Sequence, residues 1–331
     1  MRVFGFDRGL PVTDPQCFLE QERPVPEPGD HDLLVKVKAV SVNPVDVKVR
    51  GGKADDGVFS VIGWDCSGVV EKVGASVTDF QVGDKVWYAG DIRRPGCNAE
   101  FHAVDARIVS LKPEAMDFAE AAAMPLTSLT AWEALYDRLR VSERTDDNKG
   151  KKFLIINGAG GVGSIAIQLA KRLGLEVSAT ASRPESQAWC KALGATSVVS
   201  YSDVGSLPPD QFDYILCCHD TDAYFDIAAN LVKPQGAVCF LASAKVKHDI
   251  QLFMHKSAAI AWEFMFTRST YQTADMARQK EILSEIACLV DDGEMQGTMA
   301  RKLEGFSAGA FTKAHEVLES GSMIGKLVIE A

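Results

Sequence analysis

A chain of 331 residues, 47% apolar and 24% charged, is long enough for about two domains and has the balance of a folded protein rather than a disordered one. Its 45 acidic against 35 basic residues leave a net charge of −10, which argues against nucleic acid or anionic lipid as a partner. No apolar run approaches the roughly 18 residues that cross a bilayer, and Asp7 and Arg8 interrupt the stretch a signal peptide would need, so a cytoplasmic protein without membrane contact is expected.

The first third alternates apolar and polar residues over 33–42, with shorter β-rich stretches at 66–73 and 85–88 separated by Gly, Pro and Asp. That pattern predicts an irregular β-rich domain. Helical spacing follows at 117–124 and 128–140, and the polar stretch 142–151 reads as a surface loop. From 152 onward, near-continuous apolar strands (152–157, 175–181, 196–199, 212–217, 237–241) alternate with helices (164–173, 184–193, 223–231). This predicts an α/β fold with a doubly wound parallel sheet covered on both faces. The tail carries helices near 277–290 and 308–319 and a strand at 326–329, and no internal repeat is present. Eight cysteines without a Cys-x-x-Cys pair, several inside apolar strings, read as buried reduced thiols.

Directly after the strand Phe153 to Ile156 comes Gly158-Ala159-Gly160-Gly161-Val162-Gly163, then a helix opened by Ser164. Glycines at this spacing let the backbone approach a pyrophosphate, while the helix N-terminus offers unpaired N–H groups and a positive dipole end. A tight packing turn is the bland alternative, but the flanking strand and helix favour a dinucleotide. At the end of the second strand, where an acid would accept both ribose hydroxyls of NAD, the sequence is Thr180-Ala181-Ser182-Arg183. The Ser182 hydroxyl and the Arg183 guanidinium can donate to a 2′-phosphate, so NADP(H) is expected as cofactor. Alternatively Arg183 only begins the next helix as a solvated charge.

A glycine loop in the middle of the chain, after a β-rich region with Asn43-Pro44-Val45-Asp46 and Gly63-Trp64-Asp65-Cys66-Ser67-Gly68-Val69, resembles the medium-chain dehydrogenase/reductase superfamily. Trp87 to Asp91, Pro95 to Glu100, Ala122 to Thr127 and Trp262 to Arg268 extend the likeness to its quinone oxidoreductase branch and to zinc-type alcohol dehydrogenase-like proteins. The resemblance covers nearly the whole chain. It implies a β-rich GroES-like catalytic domain from residues 1–126 with 268–331, a Rossmann NADP(H)-binding domain from 127–267, and an active site in the cleft between them. Zinc-dependent relatives bind the ion through a Cys, a His and a second Cys or acid, where this chain has Asn43-Pro44, Trp64-Asp65 and Leu126. Tryptophan and leucine do not ligate zinc, and the stretch matching the structural zinc lobe holds only Cys97, so no metal site is expected. A site assembled from Asp46, Asp65 and a histidine stays open at this point.

Without a Lewis acid a plain carbonyl is hard to polarise, whereas a quinone or enone spreads the incoming charge by conjugation. The expected function is therefore zinc-independent, NADPH-dependent hydride transfer to such a small molecule. The alternatives are a zinc-dependent alcohol dehydrogenase and a non-catalytic, crystallin-like NADPH-binding protein.

Asn43 matches an asparagine facing the nicotinamide in resembling reductases, the bland reading being a turn into Pro44. Thr130 matches a threonine near the nicotinamide, or is a helix-interior hydroxyl bonded to its own turn. Asp46 and Asp65 read as a proton-relay pair or as turn and salt-bridge residues. Trp64 and Tyr88 read as pocket walls, with Tyr88 a weaker proton donor, or as core aromatics. His219, after strand 212–217, is expected near the cofactor ribose, and Tyr201 resembles a tyrosine on the adenine side. Lys326 reads as a surface cation outside the site. The apolar stretch 257–266 reads as an edge strand that pairs with its copy in a homodimer.

Overall fold

The computed structural model describes residues 1–331, which fall into two compact units: Met1–Leu126 with Phe266–Ala331, and Thr127–Met265. The second boundary therefore lies two residues before the expected one.

The first unit is built on a seven-stranded sheet and a three-stranded sheet. Strand Asp32–Ser41 is the centre of the larger one. Its apolar residues are buried and Lys36 is exposed, and it pairs antiparallel with Asp65–Val73, Phe101–Asp105 and Lys326–Glu330. The smaller sheet, around Arg2–Phe6, is covered by helix Ala308–Glu319. Phe311 on that helix stacks on Phe4 at 5.2 Å and on Phe18 at 5.8 Å between ring centres. Burying such rings contributes on the order of 2 kcal/mol each.

A helix, Pro44–Gly51, interrupts this β-rich unit and was not expected. Val45, Val47 and Val49 alternate as in a strand, but the ends decide. Pro44 stands at the first helical position, and Asp46 Oδ2 accepts the backbone N–H of Asn43 at 2.6 Å.

The second unit is a six-stranded parallel sheet in the spatial order Ser197–Val199, Glu176–Thr180, Lys152–Ile156, Phe212–Cys217, Val232–Phe240, Ala259–Trp262. Numbered along the chain this is 3-2-1-4-5-6, the doubly wound order, and its topological switch lies between Lys152–Ile156 and Phe212–Cys217. Ligands of such sheets bind beyond the carboxyl ends of the strands at that switch, which is where the glycine loop leaves the sheet.

Three details depart from expectation. The helix expected over 128–140 is α-helical over Pro125–Trp132 and then widens at Glu133–Arg138, where Leu139 N–H bonds Ala134 O five residues back. The polar loop 142–151 is anchored by buried Asn148, whose Nδ2 donates to Ser142 O and Leu173 O. All eight cysteines are free, but Cys288 is exposed and Cys218 half-buried, so the expectation of uniformly buried thiols fails there. No helix is long and apolar enough to cross a membrane.

Candidate active site

Three strand ends converge in the first unit. Ser41, the last residue of Asp32–Ser41, pairs with Asp65 on one side and Val328 on the other. Asn43 consequently leaves the sheet between the starts of Asp65–Val73 and Lys326–Glu330. Its Nδ2 donates to Asp65 Oδ2 at 2.8 Å and to Ser41 O at 3.4 Å. Lys326 Nζ donates to Val42 O at 2.9 Å, to Asp65 Oδ2 at 3.0 Å and to Asn43 Oδ1. Asp65 Oδ1 accepts the N–H of Leu126 at 2.7 Å. Every hydrogen of the ammonium and both carboxylate oxygens are thereby engaged, as burial of charge requires.

This arrangement corrects two expectations. Lys326 is not a surface cation; it is 4% exposed and bonded on all sides. Nor is Asn43 an open donor for a substrate oxygen, because its amide is committed at both ends to Lys326 and Asp65. Asn43 stands at the N-cap position of the helix Pro44–Gly51, but its side chain makes no capping bond there.

Asp46 is fully buried, and its Oδ1 has no partner. Burial pushes its carboxyl up to about 7, with the Asn43 N–H and the Lys326 charge pulling the other way. Asp46 and Asp65 are linked through Asn43, one at its backbone and the other at its amide.

The expected pocket aromatics are core residues. Trp64 packs edge-on against Phe266 at 5.7 Å and donates to Asp91 O at 3.2 Å. Tyr88 is completely enclosed; its hydroxyl meets His102 Nδ1 at 2.9 Å, and His102 Nε2 in turn meets Pro95 O. Burial raises the Tyr88 phenol well above its ordinary range and lowers His102 to about 4. Both rings are shut away from solvent, and the Tyr88 hydroxyl is spent on His102. The strand alternation in Lys85–Ala89 is overridden because both faces of that strand are buried.

A zinc ion does not fit the residues present. Of the positions implied by resemblance, the Asn43 amide is consumed, Trp64 offers only a donor N–H, and Leu126 has no ligating side chain. No three His, Cys, Asp or Glu side chains gather into a metal-binding group, which also removes the assembly of Asp46, Asp65 and a histidine.

The second unit does fit a dinucleotide. Helix Gly161–Arg172 starts directly from the loop, and its first internal bond is Ser164 N–H to Gly160 O at 2.9 Å. The N–H groups of Gly161, Val162 and Gly163 therefore face out of the helix N-terminus. The glycines are required by close approach. A Cβ on Gly163 would stand 2.4 Å from Asn157 O, and one on Gly158 2.6 Å from the Ala179 Cβ. At Gly160 the nearest atom would be Asn157 Nδ2, at 2.8 Å.

Around this cradle the structure gathers most of the expected cofactor residues. Ser182 and Arg183 are exposed beyond the end of Glu176–Thr180, and Ser182 Oγ accepts the N–H of Tyr201 at 3.1 Å. The half-buried Tyr201 donates its hydroxyl to Asn157 Oδ1 at 2.9 Å. His219 is exposed just past Phe212–Cys217, at the same sheet edge, where Cys218 N–H bonds Ile156 O. Thr130 is buried on helix Pro125–Trp132, so its resemblance-based role gains no open geometry here. Sequence reasoning missed Lys326, and it missed Asn157. The available signal for the latter was an asparagine wedged between strand and glycine, and its φ of 68° is the left-handed conformation asparagine tolerates.

Comparison with known proteins agrees with this architecture. Residues 29–114 match the alcohol dehydrogenase GroES-like domain and 161–282 the zinc-binding dehydrogenase domain. A zinc-type alcohol dehydrogenase-like protein of Staphylococcus epidermidis is 41% identical over 334 residues, 99% of each chain. A 2-methylene-furan-3-one reductase of Solanum lycopersicum is 33% identical over 94% of this chain and 74% of its own. Among solved structures, a Rhizobium etli protein provisionally described as a zinc-dependent alcohol dehydrogenase superposes with a TM-score of 0.94 at 46% identity, over 100% of this chain and 98% of that one. The quinone oxidoreductase of Coxiella burnetii gives 0.85 at 28%, over 100% and 99%. The chain belongs to the medium-chain dehydrogenase/reductase superfamily, in its quinone oxidoreductase-like branch, and is an oxidoreductase.

Proposed function

We propose that the protein is a zinc-independent, NADPH-dependent reductase of quinones or α,β-unsaturated carbonyl compounds. The observation that carries this reading is the Lys326 ammonium bonded to Asn43 and Asp65, which occupies with an organic cation the side chains a metal would need. When bound, NADPH supplies a hydride. The N–H groups of Gly161 to Gly163 hold its diphosphate, and the Ser182 hydroxyl and Arg183 guanidinium meet its 2′-phosphate. With no Lewis acid to take up charge on oxygen, an acceptor that delocalises it by conjugation is favoured. Two relatives support that class. One is named for a methylene group conjugated to a ketone, the other for quinones. Strand Ala259–Trp262 ends its sheet with Trp262 exposed, and we read it as the edge that pairs with a second copy in a homodimer.

The test is an NADPH-oxidation screen over quinones, enones, enals and simple aldehydes, with added zinc and after chelation. Turnover of conjugated acceptors indifferent to zinc is expected. Aldehyde reduction that appears only with zinc would refute the mechanism. Ser182→Asp separately checks the cofactor: it should weaken NADPH at least about tenfold relative to NADH, by like-charge repulsion.

A further inference from the structure

Gly158 and Gly163 are accounted for by close packing, whereas Gly160 is not. There the limit on a side chain is not backbone but the amide end of Asn157, which stands 2.8 Å from where a Cβ would be. Asn157 is held on every other side. Its N–H donates to Thr180 Oγ1 at 2.8 Å, its carbonyl accepts Gly160 N–H at 3.2 Å, and its Oδ1 accepts the Tyr201 hydroxyl at 2.9 Å. Only Nδ2 is without a partner in the protein, and it lies beside the loop on the Gly160 side. Because the phenol takes Oδ1, the end of the amide turned toward the loop is the donor end. Burial raises that phenol to about 12, so it stays protonated and keeps the amide in this sense through the neutral range.

We infer that Asn157 is a side-chain donor to the diphosphate of the dinucleotide, with its amide aimed by the Tyr201 hydroxyl. The inference rests on the dinucleotide reading above and adds a residue to it. It gives Tyr201 a second task, since its own N–H bonds Ser182 Oγ. One residue thus ties the diphosphate loop to the corner proposed for the 2′-phosphate.

Three variants test this by direct binding titration on the full chain without substrate. Asn157→Asp keeps shape and the left-handed backbone but replaces the donor with a charge that repels phosphate. Asn157→Gly keeps the backbone at φ 68° without strain and removes the amide. Tyr201→Phe keeps the ring and removes the aim. Asn157→Asp is expected to weaken NADPH and NADH equally, by at least about tenfold, and the other two by about three- to tenfold. Adenosine 2′-monophosphate, which lacks the diphosphate, should bind all four proteins alike, and Asn157→Asp, which keeps the acceptor for the Tyr201 hydroxyl, should leave the melting temperature in the absence of nucleotide unchanged. The inference is overturned if Asn157→Asp binds NADPH as tightly as the unaltered chain, or if adenosine 2′-monophosphate is lost in parallel. If the unaltered chain takes up neither dinucleotide, the cofactor reading falls first and this inference with it.

Discussion

Lys326 Nζ lies 3.0 Å from Asp65 Oδ2, and both side chains are shut away from solvent, 4% and 0% exposed. A buried pair of this kind is weak as a source of net stability but costly to break from one side. Lys326→Met and Asp65→Asn should each destabilise by about 3 kcal/mol, and the double variant by clearly less than their sum. A urea-denaturation double-mutant cycle measures this. Simple additivity would show that the two groups do not depend on each other.

Asp46 should make stability depend on pH. Its carboxyl stands at about 7 in the folded chain and near 3.8 when exposed, so the folded state holds the extra proton between those values. Its contribution is complete below about pH 4, declines as pH rises, and levels off above about 7 at a cost on the order of 4 kcal/mol. Asp46→Asn removes the charge and keeps an acceptor for Asn43 N–H. Melting curves from pH 4 to 9 should lose slope over that window, with the variant the more stable at pH 8. Parallel curves would contradict the burial argument.

The loop glycines should separate by what each one faces. Gly163→Ala meets backbone oxygen at 2.4 Å and Gly158→Ala meets a strand side chain at 2.6 Å, so both should lower the melting temperature and abolish cofactor binding. Gly160→Ala meets first the amide nitrogen of Asn157 at 2.8 Å and backbone oxygen only at 3.4 Å, so it should cost less than the other two, about 1 kcal/mol, and still bind NADPH more weakly. Calorimetry alongside NADPH titration distinguishes the two behaviours. Equal melting temperatures for all three would contradict it.

Tyr88→Phe tests the reassignment of that phenol to the core. Loss of the hydroxyl leaves buried His102 Nδ1 without its partner at a cost of about 1–3 kcal/mol, while kcat of the folded fraction should stay unchanged. A large fall in kcat with normal stability would restore the phenol to the chemistry.

How far each part was legible follows from sequence distance. Strand, glycine loop and helix run contiguously from Lys152 to Arg172, so periodicity and spacing sufficed for the nucleotide unit. The helix Pro44–Gly51 was hidden because its valines alternate as in a strand and only the cap residues betray it. Lys326 was unreadable for a different reason. It is 283 residues from Asn43, and nothing local to Gly325-Lys326 tells that the strand after it will lie antiparallel to Asp32–Ser41 in the register that turns the ammonium inward. The same register explains why Asn43, resembling an asparagine at the nicotinamide, spends its amide on its neighbours.

The first unit is interrupted by the second, and this has a kinetic consequence. Asp65 and Lys326 are separated by 261 residues of chain, which include the entire parallel sheet. Closing so long a segment is entropically slower than forming the local strand–helix pairs within it. Refolding should therefore be biphasic, with nucleotide-binding competence regained before the carboxyl-terminal strand docks and the buried charges find one another.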